Sequence, residues 1–253
     1  MVLISILLGA CSQPEAQATD LPTDEPQIVE ETPVRVIDPA SEVAFLSIEE
    51  NGFAHLFLFR SLELTMTRIT TGEWNDITPV LNQDRTRLAF ASDRDGDWDL
   101  YVMTLETGEV KQVTNSPQYD SSPSWSPDAQ WLAFETYINE NLEVAVVNVD
   151  SGEIVPLTQD RASDHSPVWA PDGRHVAFIS TRGGDSDVWL ANLDITSDDR
   201  YQNLSNTPFA SENFPLWNQD GSQLLWSSIS QTVGFSGLYL WNAAEPDRSA
   251  HWI

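Results

Sequence analysis

Pro167-Val168-Trp169-Ala170-Pro171-Asp172-Gly173, followed after two residues by Val176-Ala177-Phe178, is the stretch that decides the fold. It has three relatives: Pro79-Val80-Leu81-Asn82-Gln83-Asp84, Pro123-Ser124-Trp125-Ser126-Pro127-Asp128 and Pro215-Leu216-Trp217-Asn218-Gln219-Asp220. The leading prolines at 79, 123, 167 and 215 are 44, 44 and 48 residues apart. An apolar triplet follows each: Leu88-Ala89-Phe90, Leu132-Ala133-Phe134, Val176-Ala177-Phe178 and Leu224-Leu225-Trp226. Val43-Ala44-Phe45 predicts a fifth, earlier unit with a degenerate opening. A period near 44 points to propeller blades or another repeat array.

Strand signals separate these. A second run follows each triplet: Leu56-Phe57-Leu58-Phe59, Leu100-Tyr101-Val102-Met103, Val144-Ala145-Val146-Val147, Val188-Trp189-Leu190 and Leu238-Tyr239-Leu240-Trp241. Each is short, rich in β-branched or aromatic residues, and bounded by turn formers. A third run closes each unit, as in Gln112-Val113-Thr114 and Val155-Pro156-Leu157-Thr158. With the Pro-x-Trp segment this makes four strands per unit. No segment carries a helical period, so the sequence predicts an all-β propeller of four-stranded blades, five of them visible, over residues 41–253. Pro-Asp-Gly at 171–173 reads as a tight turn, with proline fixing φ and glycine supplying positive φ. The recurrent Trp and Phe read as packing between blades.

The chain has 253 residues, 41% of them hydrophobic, which is enough for a packed core. Its 39 acids against 12 bases give a net charge of −27, and its single lysine is Lys111. Such a chain cannot neutralise phosphates, so nucleic acid is excluded as a partner, and a cation or a basic protein segment fits better. The one cysteine, Cys11, rules out an intrachain disulfide. Leu8-Gly9-Ala10-Cys11 reads as a lipobox: small residues before a cut and a thiol to acylate after it. Residues 1–10 are therefore expected to be a signal peptide, shorter than usual and without a basic start, whose true beginning lies upstream of Met1. Lipid on Cys11 would be the sole membrane attachment, at the periplasmic side or the cell surface. Residues 11–40 carry Pro14, Pro22, Pro26, Pro33 and Pro39 among acids and read as a disordered tether.

At Pro123 to Phe134, Pro167 to Phe178 and Asp99-Leu100-Tyr101-Val102-Met103 the chain resembles the TolB-like propeller family, whose repeat reads Pro-x-Trp-Ser-Pro-Asp-Gly, then an apolar triplet. The turns Ser92-Asp93-Arg94-Asp95-Gly96 and Ser180-Thr181-Arg182-Gly183-Gly184 fit it too. The resemblance implies a ring that usually has six blades, so five visible units suggest a five-bladed closure, a fragment, or a ring that a missing blade would complete. TolB itself carries an α/β domain before the propeller, where this chain has the tether. The same repeat serves periplasmic scaffolds, surface lipoproteins and the propeller half of prolyl-oligopeptidase-like enzymes, so it does not carry a function with it.

An acid stands three residues before each blade-opening proline: Asp76, Asp120, Asp164 and Glu212. Placed on loops around the upper mouth of a channel, these would form a ring of carboxylates, joined by Asp93, Asp95, Asp97, Asp99, Asp185 and Asp187 of the next hairpins. Asp84, Asp128, Asp172 and Asp220 belong to turns on the opposite face. Gathered carboxylates repel one another unless a cation sits among them, so Ca²⁺ or a basic segment is the ligand to expect. The alternative is that each Asp accepts backbone N–H bonds of its own loop. Asp93 to Asp99 fails as an EF-hand, because glycine falls at loop position 4 and Thr104 stands at position 12. Among the four histidines only His165, beside Asp164, faces the same mouth. The chain shows no Gly-x-Ser-x-Gly elbow and no phosphate loop. The expected function is a non-catalytic binding module without a cofactor. The rival readings are the gating half of a peptidase, a lyase propeller with metal-bound histidine, and a halophile's propeller whose acidity is solvent adaptation.

Overall fold

The computed structural model describes the backbone of residues 27–29 and residues 42–253 apart from 233, 235 and 246–249. Five four-stranded sheets follow one another as blades of a propeller ring. The second blade comprises β5 (Asp76–Leu81), β6 (Arg87–Ser92), β7 (Asp99–Thr104) and β8 (Val110–Gln112), in that order from the axis outward. The third holds β9 (Asp120–Trp125), β10 (Trp131–Ile138), β11 (Asn141–Asn148) and β12 (Ile154–Pro156). The fourth holds β13 (Asp164–Trp169), β14 (His175–Ser180), β15 (Asp187–Asn192) and β16 (Tyr201–Asn203), with a 3-10 turn at Asp198–Arg200 before β16. The fifth holds β17 (Ala210–Trp217), β18 (Gln223–Ser230), β19 (Ser236–Asn242) and β20 (His251–Trp252).

The first blade differs. Its strands β2 (Val43–Glu50), β3 (Phe53–Arg60) and β4 (Thr65–Arg68) match the second, third and fourth strands of the others. The place of the inner Pro-x-Trp strand is unfilled among the described residues. The fourth member is instead β1 (Gln27–Val29), which runs parallel to β4 on the outer edge. This corrects the reading of residues 11–40 as unstructured throughout. Ile28 and Val29 are β-branched, and the outer edge of β4 offers them open backbone partners.

The register of the first unit also needs correcting. Phe90 pairs with Tyr101, and Leu46 pairs with Phe57, 44 residues earlier in both strands. Leu46, not Phe45, therefore occupies the Phe90 position. A one-residue slip reverses every side chain in a strand, and in Val43-Ala44-Phe45-Leu46 all four residues are apolar, so the pattern alone could not show it.

The core lies between blades. Leu56 and Leu58 pack on Leu88, Phe90 and Tyr101, and Ala89, Leu100 and Val102 pack on Leu132, Phe134 and Trp125. Phe90, Phe134, Phe178 and Trp226 are all buried, as expected for residues filling the wedge. Each inner strand is bulged where it meets its proline. Thr78, Ser122, Ser166 and Phe214 immediately precede the prolines and have φ of +51°, +54°, +53° and +56°. Strand registers shift at the same points. Such a bulge bends the strand and re-aims its side chains. In the turns, Gly173 takes φ +73° as expected, while Arg85 and Ala129 accept +60° and +55° at the matching positions. The inner strands β5, β9, β13 and β17 pack in succession, and β2 of the first blade packs on β5. Among the described residues no packing of similar extent joins the fifth blade to the first, and Phe214 and Leu216 stay 80% and 61% exposed there.

Candidate functional site

The four blade-opening acids do not stand on loops. Asp76, Asp120 and Asp164 are the first residues of β5, β9 and β13, Glu212 is the third of β17, and none is more than 2% exposed. The bulge explains the difference: it admits the residues before proline into the strand, opposite Ser92, Thr136, Ser180 and Ser228. The predicted exposed ring of carboxylates is thus a series of buried groups, each at a junction between blades.

Every junction repeats one arrangement. His55, Asp99, Glu143 and Asp187, at 44-residue spacing, are buried at the start of the third strand of one blade. Each faces the acid that opens the next blade; burial raises the pKa of Asp120 and Glu212, and Asp99 and Asp187 add to the rise. A hydroxyl organises each junction. Thr70, Thr114, Thr158 and Ser205 accept the backbone N–H of Leu56, Leu100, Val144 and Val188, all at 2.9 Å. Three of them donate to the acid: Thr114 to Asp99 at 3.2 Å, Thr158 to Glu143 at 2.7 Å and Ser205 to Asp187 at 3.1 Å. Asp99 and Asp187, expected on an exposed hairpin, are therefore structural acceptors.

Charge compensation alternates from blade to blade. Arg94 donates to Asp76 at 2.8 Å and Arg182 to Asp164 at 2.6 Å. Each guanidinium lies over aromatic rings, Arg94 4.6 Å from the Tyr101 centroid and Arg182 4.5 Å from that of Tyr201. The matching residues in the third and fifth blades are Ile138 and Ser230, so Asp120 and Glu212 have no such cation. Burial pushes Asp120 above the ordinary carboxylate range, and it lifts Glu212 to about 7. Asp164 is also raised, by the same burial, though Arg182 opposes it. In the sequence these arginines read as turn residues. Their 88-residue spacing, two repeats, was the available signal of a shared role.

His165 is half-buried beside Asp164, its Nδ1 3.0 Å from Ser166 Oγ, and burial lowers its pKa. The neighbouring Glu135 accepts the Ser166 N–H at 3.0 Å. Among the described residues, no three His, Cys, Asp or Glu side chains converge closely enough to hold a metal ion. In the second-blade hairpin Asp93 accepts from the backbone and side-chain nitrogens of Asn75 at 2.6 and 2.7 Å, and Asp95 from Tyr101 Oη at 2.6 Å. On the opposite face Asp84, Asp128, Asp172 and Asp220 each accept the N–H two residues on, at 2.8 to 3.1 Å, as turn caps. Cys11 lies outside the described residues. None of the helical elements described is long and apolar enough to cross a membrane.

Repeat, bulge and junction together define a β-propeller of the Pro-x-Trp repeat class. The family model "TolB beta propeller domain" matches residues 97–238, more than half of the chain, and the chain belongs to that family. A search of curated proteins finds no match. TolB from Acinetobacter baumannii is similar in structure with a TM-score of 0.68 at 18% identity, over 76% of this chain and 47% of that one. The chain thus spans about half the length of that relative. An oligogalacturonate lyase in complex with manganese superposes with a TM-score of 0.63 at 18% identity, over 79% of this chain and 59% of the lyase. One of two prolyl endopeptidases gives 0.56 at 14%, over 79% and 32%. At these identities the likeness is one of fold.

Proposed function

We propose that the protein is a non-catalytic binding module, held outside the cytoplasm by lipid on Cys11, that engages a basic segment of a protein partner through its upper-face loops. The observation that carries this reading is the direction of the charges. Arg94 and Arg182 fold inward onto Asp76 and Asp164, while Glu73, Asp95, Asp97 and Glu140 of the same rim are exposed. These two cations are withdrawn and the anions presented, with Arg161 exposed among them, and the excess of anions raises the local concentration of a basic partner. The buried acids support this role indirectly, since they fix the junctions from which the loops project. No nucleophile with a base stands in the described site, and the reading needs neither cofactor nor Ca²⁺.

The test is calorimetric titration with a lysine- and arginine-rich peptide at low and moderate salt. Saturable binding that weakens with salt and is lost in Asp95→Asn/Asp97→Asn supports the reading. Binding that ignores both salt and substitution refutes it. Cys11→Ser, followed by membrane fractionation of the full chain, tests the anchor.

A further inference from the structure

We propose that the upper rim of the fifth blade holds a vacant guanidinium site, walled by Glu212, Ser228, Trp226 and Tyr239, that takes an arginine side chain of a protein partner. The occupant is read from two sister sites in which this protein supplies the arginine itself. In the second blade Arg94 donates from Nη2 to Asp76 at 2.8 Å and from Nε to Ser92 Oγ at 3.0 Å. Its guanidinium lies 5.3 and 4.6 Å from the ring centroids of Phe90 and Tyr101. In the fourth blade Arg182 donates to Asp164 at 2.6 Å and to Ser180 Oγ at 2.8 Å, and lies 5.4 and 5.1 Å from Phe178 and Trp189. Phe90 pairs across the strands with Tyr101, and Phe178 with Trp189. An acid, a serine and a cross-strand aromatic pair thus form one repeated cradle for a guanidinium.

The two blades that lack the arginine differ from each other. In the third, Ile138 takes its place, Thr136 stands for the serine, and Phe134 pairs with Ala145, so the aromatic pair has gone with the cation. In the fifth, the arginine alone is missing from the set. Ser230 holds its position, and Trp226 pairs with Tyr239. Their rings lie 6.4 Å apart at 10°, close to the 5.9 Å and 22° of Phe90 and Tyr101. Ser228, with no guanidinium to accept from, donates instead to Glu212 Oε1 at 3.0 Å, and the fully buried Glu212 Oε2 has no partner. Asp187 and Asp185 face Glu212 from the fourth blade and add to its need for a positive charge. The sister arginines are 18% and 15% exposed over wholly buried acids, so each covers its acid from the solvent side. In the fifth blade Tyr239 is part-exposed, and the rim beside Glu212 is tied by an exposed bond from Gln231 Nε2 to Ser211 Oγ at 3.0 Å, which an entering side chain displaces. A planar, weakly hydrated guanidinium suits stacked rings and a buried carboxylate; the compact, strongly hydrated ammonium of lysine does not. This inference rests on the reading of a basic partner and names arginine as its anchoring residue.

The test is isothermal titration of the full chain with an acetylated and amidated glycine-arginine-glycine tripeptide, beside its lysine and citrulline counterparts. The expected result is saturable binding of the arginine tripeptide, at least about tenfold tighter than that of either counterpart. Ser230→Arg supplies the arginine in cis, as the second and fourth blades do, and Glu212→Gln removes the carboxylate. Each should weaken binding at least about tenfold, with thermal unfolding verifying that both variants are folded. Glu212 holds its proton up to about 7 and releases it to receive the cation. Binding by the native protein should therefore tighten about tenfold between about pH 6 and 8, a dependence that Glu212→Gln removes. The Asp95→Asn/Asp97→Asn protein should bind the tripeptide normally, and the Ser230→Arg protein should keep the salt-dependent binding of a long all-lysine peptide, so that this site and the rim acids fail separately. The proposal is overturned if the native protein does not saturate, if the lysine or citrulline tripeptide binds as well, or if the folded Ser230→Arg and Glu212→Gln proteins bind as the native one does.

Discussion

Arg94 Nη2 donates to Asp76 Oδ1 at 2.8 Å from beneath the ring of Tyr101, and the pair Arg182–Asp164 repeats this geometry two blades later with Tyr201. Asp76 is wholly buried, and its Oδ2 has no partner, so the guanidinium is its principal compensation. Removing one member of a buried pair strands the other charge. Arg94→Met is expected to cost about 3–5 kcal/mol in urea unfolding. Adding Asp76→Asn should restore most of that loss, because the stranded charge disappears with it. A double variant as unstable as the single one would show that Arg94 acts through its ring contacts instead.

Glu212 gives the opposite case, a buried acid without a cation. Its pKa stands at about 7 against an ordinary 4.5, chiefly through burial, with Asp187 adding to the rise. A folded-state pKa above the unfolded value means that the native state binds the extra proton. The associated stability is fully present below about 4.5 and is lost as pH rises through about 7. Glu212→Gln, which can still accept from Ser228 Oγ, should match the native protein near pH 4 and exceed it by about 3 kcal/mol at pH 8. Parallel pH–stability curves for the two proteins would exclude a buried ionisation at this position.

The bulges carry strain that can be relieved. Thr78 is β-branched, exposed and held at φ +51°, a region that costs a non-glycine residue about 1–2 kcal/mol. Thr78→Gly should stabilise the second blade by about 1 kcal/mol after the added freedom of the unfolded chain is offset. The midpoint of denaturant unfolding reports it. A loss of stability would mean that the threonine side chain makes an unrecognised contribution.

The blades were legible because their signals are local and repeated: proline before an aromatic, a turn after it, alternating apolar residues at a 44-residue period. The site was less so. Counting three residues back from Pro79 locates Asp76, but a loop and a bulged strand read alike, and only the αL conformation of Thr78 puts Asp76 inside the sheet. The partners His55, Asp99, Glu143 and Asp187 come from the preceding blade, 21 or 25 residues away in sequence, and no local rule links them to the acids they face. The cleft between the third and fourth blades, lined by Trp131 and Val155, is legible in the repeat alignment, because Arg87 and Lys111 hold those positions at the preceding junction and bridge it to Ala129 and Val149 carbonyls.

The junction hydroxyls allow the sharpest comparison between blades. Thr158 Oγ1 accepts the Val144 N–H at 2.9 Å and donates to Glu143 at 2.7 Å. Thr70 accepts the equivalent Leu56 N–H at 2.9 Å, but the acid's position there is taken by His55. Thr→Val keeps the volume and removes the hydroxyl. At Thr70 it leaves one buried N–H unsatisfied, for about 1–2 kcal/mol; at Thr158 it also strips a buried carboxylate, for about 3 kcal/mol in total. The pH dependence should differ too. Burial already raises the Glu143 pKa, and the Thr158 hydroxyl opposes that rise. Its removal raises the folded-state value further, so the deficit of Thr158→Val should deepen as pH climbs past the carboxylate range, while that of Thr70→Val should show no such carboxylate-linked deepening. Equal deficits at both sites across pH would mean that the hydroxyls serve only the backbone, and that the acids opposite them are held by burial alone.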